Sequence, residues 1–211
     1  MRLKTRARAG GIAAATIAAS AAAALWLIPT GAQAVPESRP APPPMSMTAG
    51  PTQATQIAAA RQATAKYATN LARAKADGYQ IITMMMPNMG YHFMNPAITK
   101  FDARKPQILV YEHTGKTWQL GALEWVFTRM PKTPPLPNAT FGLFPAACHY
   151  QDGTFVADQH ASTCPKTASD TGSKFNFWHP DLITMHEWVW YPNPAGLFSS
   201  TNPQVAPFNG G

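Results

Sequence analysis

The alternation of apolar and polar positions changes its period along this chain. From Gln53 to Asp77 there is neither Gly nor Pro, and Ala, Gln, Arg and Lys, all good helix formers, dominate. Ile57, Thr64, Ala68, Leu71 and Ala72 recur at helical spacing and give a modest apolar face. The pattern predicts one long helix ending at Asp77-Gly78, with Gly78 placed for a left-handed C-terminal cap.

Beyond Gly78 the apolar runs are short and rich in aromatic and branched residues. Four strands are predicted: Tyr79 to Met86, Gln107 to Glu112, Thr117 to Phe127 and Leu182 to Tyr191. Thr114-Gly115 reads as a hairpin turn between the second and third. Met130 to Pro145, with five prolines, reads as loop. So does Cys148 to Lys174, with its Gly, Asp, Ser and Thr. Asn95-Pro96, Asn193-Pro194 and Asn202-Pro203 are turn dipeptides. The expected class is α+β, an N-terminal helix packed on a mainly antiparallel curled sheet or small β-barrel.

The beginning of the chain follows another logic. Arg2, Lys4, Arg6 and Arg8 precede an uncharged, Ala-rich run, and Ala32-Gln33-Ala34 is a small-x-small cleavage pattern. Residues 1–34 therefore read as a secretory signal peptide and the rest as a secreted, extracellular protein. Residues 35–52 read as a Pro-rich linker, and 53–211 as a single domain. The whole chain carries 17 Lys+Arg against 10 Asp+Glu, a net charge of +7. Four of those bases lie in the signal, so most of the excess belongs to a targeting segment. No Lys/Arg cluster of the kind that tracks phosphates follows, which argues against nucleic acid as a partner. No later segment is apolar enough for a stable membrane anchor. The expected partner is an unspecified small molecule or extracellular ligand. Cys148 and Cys164 are expected to pair as a disulfide in an oxidising compartment, since their spacing matches no zinc pattern.

The domain is poor in charge, so the setting of each ionisable residue carries information. Glu112, Glu124 and Glu187 are the only glutamates after the linker, and each sits at or inside a predicted strand, where Glu is depleted. Glu124 is flanked by Leu123 and Trp125, His186 by Met185 and Glu187, and His92 by Tyr91 and Phe93. One reading brings His92, Glu124 and His186, with Glu112 as a possible fourth, to one divalent transition metal: Zn, Mn, Fe or Cu. The other satisfies each separately, a core His on a carbonyl and a Glu on an exposed face. A two-residue turn at Thr114-Gly115 pairs Glu112 with Thr117 and puts Glu112 and Glu124 on opposite faces, unless a bulge intervenes. Met84, Met85, Met86, Met89 and Met94 crowd the segment around His92, and their soft thioethers add an exported copper-binding protein to the possibilities.

A non-enzymatic extracellular binding module is a further alternative. Trp118, Trp125, Trp178, Trp188 and Trp190, with Tyr91, Tyr111 and Tyr191, could form an aromatic ligand surface or a core. There is no Gly-x-Ser-x-Gly, so a serine nucleophile finds no support, and no catalytic residue is assigned. His113 and His179 read as surface residues; Asp152, Asp158, His149 and His160 read as part of a solvated loop.

Several strings are distinctive: Met89-Gly90-Tyr91-His92-Phe93-Met94-Asn95-Pro96, Ile108-Leu109-Val110-Tyr111-Glu112, Leu120-Gly121-Ala122-Leu123-Glu124 and His186-Glu187-Trp188-Val189-Trp190-Tyr191-Pro192. Together they resemble a family of secreted bacterial proteins usually called hypothetical, a resemblance that brings no activity with it. His and Glu on strands are also loosely similar to cupin-like metal barrels, although the paired His-x-His of cupins is absent here.

Overall fold

The computed structural model describes residues 52–208. The signal peptide (1–34) and all but the last residue of the linker lie outside the described residues. Among the described residues, no helix is long and apolar enough to cross a membrane.

The helical segment is broken. Helix α1 (Gln53–Thr64) runs into a single 3-10 turn (Ala65–Tyr67), and α2 (Leu71–Ala76) follows a fresh start. Two local bonds account for the break. Thr64 Oγ1 donates back to the Ala60 carbonyl, and Asn70 caps α2 by accepting from the Arg73 N–H. The turn between them is held by the sheet: the Leu120 N–H donates to the Ala68 carbonyl and the Tyr111 hydroxyl to that of Tyr67. Gly78 takes φ +99° and closes α2 as expected, with the Tyr79 N–H on the Ala74 carbonyl.

The main sheet has six antiparallel strands: β1 (Gln80–Met86), β2 (Gly90–Met94), β3 (Ile108–Thr114), β4 (Thr117–Phe127), β5 (Gly142–Phe144) and β9 (Leu182–Glu187). Their order is β1-β2-β3-β4-β9-β5, and the sheet curls strongly into a half-barrel. One face packs on the helices through Ala60, Tyr67, Leu71, Phe93, Leu109, Tyr111, Leu123, Trp125 and Met185. The other collects Ile82, Ile108, Val110, Ala122, Trp188 and Val205. Residues Leu109/Tyr111 and Ile108/Val110 thus separate by strand alternation, as a two-sided buried sheet requires.

Strands also form outside the four that the sequence predicts. β6 (Ala147–Tyr150), β7 (Phe155–Ala157) and β8 (Phe175–His179) make a second sheet, ordered β7-β6-β8. These strands are too short to show a period amid Gly, Asp and Ser. Consequently His149 is fully buried and His179 is 8% exposed, which corrects the surface reading of both. His113 is half-buried, stacked on Trp118 with centroids 4.2 Å apart. His160 is exposed, as expected.

Cys148 and Cys164 form the expected disulfide, spanning 16 residues. Replacing both by Ala should lower stability by about 3 kcal/mol in the chain-entropy account, read as a lower urea midpoint with a larger m-value, because the unfolded chain exposes more surface once the loop is open.

Candidate metal centre

His92, Glu124 and His186 converge. His92 comes from β2, Glu124 from β4 and His186 from β9, with side chains only 4–5% exposed. Glu124 and His186 are direct cross-strand partners. His92 is farther away in the ladder: three strand spacings separate β2 from β9. In a flat sheet that would be roughly 14 Å, yet the His92 and His186 ring centroids lie 5.9 Å apart. The curl of the half-barrel closes the gap.

The spacing of the donor atoms is informative. His92 Nε2 lies 3.5 Å from Glu124 Oε2, and His186 Nε2 lies 3.6 Å from Glu124 Oε1. These are too long for hydrogen bonds, and Glu124 Oε2 and His186 Nε2 have no hydrogen-bond partner. Ligands placed tetrahedrally about 2.0–2.2 Å from one ion are themselves roughly 3.3–3.6 Å apart. One donor atom from each of the three residues lies within 4.8 Å of the others, so the buried group could hold a metal ion.

Electrostatics agrees with the geometry. Burial pushes the Glu124 carboxyl up to about 8. Burial pushes His186 down to about 4, and burial together with the neighbouring His186 pushes His92 down to about 3. Both imidazoles are therefore neutral at pH 7, the state in which a ring nitrogen can ligate. An ion with two positive charges would reverse the penalty on the Glu124 carboxylate.

A further group orients the ring of His92. Its Nδ1 lies 2.8 Å from Thr83 Oγ1 of β1, and Thr83 Oγ1 also accepts from the His92 N–H at 3.2 Å. With the Thr83 hydroxyl accepting from Nδ1–H, the Nε2 lone pair faces Glu124, the arrangement that a ligating histidine adopts. Thr83→Val should therefore weaken metal affinity by about 10–100-fold with the fold intact, measured by competition with a chromophoric chelator. Thr83 has no sequence signal beyond being a polar residue between Ile82 and Met84 in an apolar strand.

Glu112 is on the same face but not in the cluster. The hairpin turn is one residue later than expected, with Thr114 opposite Thr117 and Glu112 opposite Gln119. The register then slips between Val110 and Tyr111, where Gly121 is the extra residue on β4. That bulge is the device that places Glu112 and Glu124 on one face. Among the described residues, the group that could hold a metal ion nevertheless comprises only His92, Glu124 and His186. Ile108 is the residue facing Glu124, and Glu112 stands four positions further along β3. Its carboxyl is buried beside Gly90 and Gly121, with neither oxygen hydrogen-bonded. Burial raises it to about 8. Glu187 is buried as well, but alternation along β9 turns it away from His186.

A cavity of about 70 Å³ adjoins the cluster, walled by Ile82, Met86, Met89, Ile108, Leu143 and Phe144, with His92, Glu124 and His186 at its edge. Of the five methionines near His92, only Met86 and Met89 reach it; Met84 is 48% exposed, and Met85 and Met94 pack into the two cores.

No protein-family model matches this chain, and comparison with curated proteins and with solved structures finds no match.

Proposed function

We propose that this is an exported metal-binding protein in which His92, Glu124 and His186 hold one divalent transition ion. The observation that carries the reading is the trio of buried donors at ligand–ligand spacing, with Glu124 Oε2 and His186 Nε2 lacking any hydrogen bond. Such orphaned polar atoms cost about 1–3 kcal/mol each, and an ion bound by all three residues would offset that cost. Two imidazoles and one carboxylate suit Zn, Mn, Fe and Cu. Three protein ligands leave coordination positions open, as in catalytic rather than purely structural sites. Here the open side is the largely apolar cavity, with room for a small group beside the ion. Export is supported by the signal-like first 34 residues and by the disulfide.

A copper variant of this reading is favoured by the two thioethers of Met86 and Met89 on the cavity wall. For an aromatic ligand surface, support is thin: Trp118, Trp125, Trp178, Trp188, Trp190, Tyr91, Tyr111 and Tyr191 are all buried or half-buried.

The test is thermal unfolding with and without each metal. At a free metal concentration 100 times Kd, the parent should gain about 2.7 kcal/mol. His186→Ala should gain nothing. Equal shifts in parent and variant would place the metal elsewhere and sink the reading.

A further inference from the structure

A second pair of histidines lies outside this centre, on the small sheet. His149 of β6 and His179 of β8 share one face, because His149 faces Phe177 across the ladder and His179 lies two residues beyond Phe177. Their ring centroids are 5.0 Å apart. Each ring uses Nδ1 in the same way, against a backbone carbonyl: Ile82 for His149 and Pro180 for His179, both at 2.7 Å. A carbonyl only accepts, so each Nδ1 carries the proton and each Nε2 presents a lone pair. Both Nε2 atoms are buried and have no hydrogen-bond partner.

Two neutral imidazoles with unused lone pairs, each fixed by a carbonyl behind it, form the arrangement that oriented metal-ligating histidines adopt. What surrounds them selects the ion. His149 stacks face to face on Phe177 at 4.6 Å, with Phe155 on its other flank at 5.6 Å. Phe144 meets the rings of His149 and His179 at 5.8 and 4.7 Å. Among the described residues no carboxylate comes within ion-pair distance of either ring, and Asp181 acts on His179 only from farther off. The thiols of Cys148 and Cys164 are tied in their disulfide, and alternation along β6 puts Cys148 on the opposite face from His149. A divalent ion would bring two uncompensated charges into an aromatic box, and the desolvation cost grows as the square of the charge. A monovalent ion carries a quarter of that cost, and the ring faces attract it.

We propose that His149 and His179 form a second, separate metal site, specific for a soft monovalent d10 cation, Cu(I), held between their two Nε2 atoms. The site needs only two neutral donors because Cu(I) accepts two-coordination; with metal–nitrogen bonds of about 2 Å, a near-linear pair needs ring centroids about 6 Å apart, so the rings, 5.0 Å apart without the ion, open by about 1 Å on binding. Ile82 and Thr83 are adjacent on β1 and brace His149 and His92 respectively, so the two sites share a strand but no ligand.

The experiment is an anaerobic titration of the full chain, disulfide intact, with Cu(I) in competition with bicinchoninate. His149→Phe and His179→Phe are the variants; because His149 is fully buried, His179→Phe serves if the former fails to fold. Zn(II) uptake at the first centre is followed in the same samples. The parent should withhold one more equivalent of Cu(I) than either variant, while Zn(II) uptake stays the same in all three. Equal Cu(I) stoichiometry in the parent and a folded variant overturns the proposal. So does a crystal structure, grown with Cu(I), showing one water bridging the two Nε2 atoms. Loss of Zn(II) uptake in the parent would count against the first centre and leave the Cu(I) comparison readable.

Discussion

Glu124→Gln is expected to raise the stability of the metal-free protein while destroying metal binding. The carboxyl titrates near 8 in the folded protein because burial penalises its charge, against about 4.3 when unfolded. Between those values the folded state holds a proton that the unfolded state has released. Stability therefore falls as pH rises through this window, by up to about 1.4 kcal/mol per pH unit. By pH 7 the accumulated cost is on the order of 3 kcal/mol. Gln does not titrate, so the variant should be the more stable protein at pH 7 and nearly equal to the parent at pH 4. Urea unfolding at the two pH values, in the presence of a chelator, measures this difference. Metal affinity should fall by more than the roughly 10–100-fold expected for an orienting residue such as Thr83. Lower stability at pH 7 with unchanged metal affinity would mean that Glu124 serves only to fix the two histidines.

Gly90→Ala should be the most damaging single-methyl change in the protein. Gly90 sits at φ +109°, and a Cβ there would come 2.6 Å from the Tyr111 carbonyl oxygen and 2.7 Å from Glu112 Oε1. The carboxyl could swing away, but the carbonyl belongs to β3 and is held by the ladder. Backbone strain and overpacking each cost about 1–3 kcal/mol, so a loss of several kcal/mol is expected. Gly115→Ala is the control: it also has positive φ, +55°, but nothing lies within 4 Å of its Cβ, so about 1 kcal/mol is expected. Because Gly90 lies two residues from His92 on β2, whatever fraction of Gly90→Ala folds should also bind metal weakly. Equal urea midpoints for the two variants would show that the close approach at Gly90 does not exist.

Much of the centre was legible in the sequence for a simple reason. Polar residues set inside apolar strands are expensive, and His92, Glu124 and His186 each stand in such a run. Their convergence was one of two readings that the sequence allowed, and the curl that carries β2 toward β9 decides between them. The Gly121 bulge carries a sequence signal: a lone Gly in a strand pattern marks a bulge or a close approach, and Gly121 lies within Leu-Gly-Ala-Leu. The helix break had one too, since Asn70 is a good capping residue, but tertiary bonds to Tyr111 and Leu120 decide it. The small sheet had none. β6 and β7 have four and three residues among Gly, Asp and Ser, and β8 has five, too few to show a period, so the burial of His149 and His179 stayed hidden with the sheet.

The central claim rests on where an ion sits, and anomalous diffraction from crystals of the full chain grown with Zn(II) measures that directly. A single peak about 2.0–2.2 Å from His92 Nε2, His186 Nε2 and a Glu124 oxygen is predicted. Zinc elsewhere on the surface, with the three side chains still 3.5–3.6 Å apart and no density between them, would contradict it.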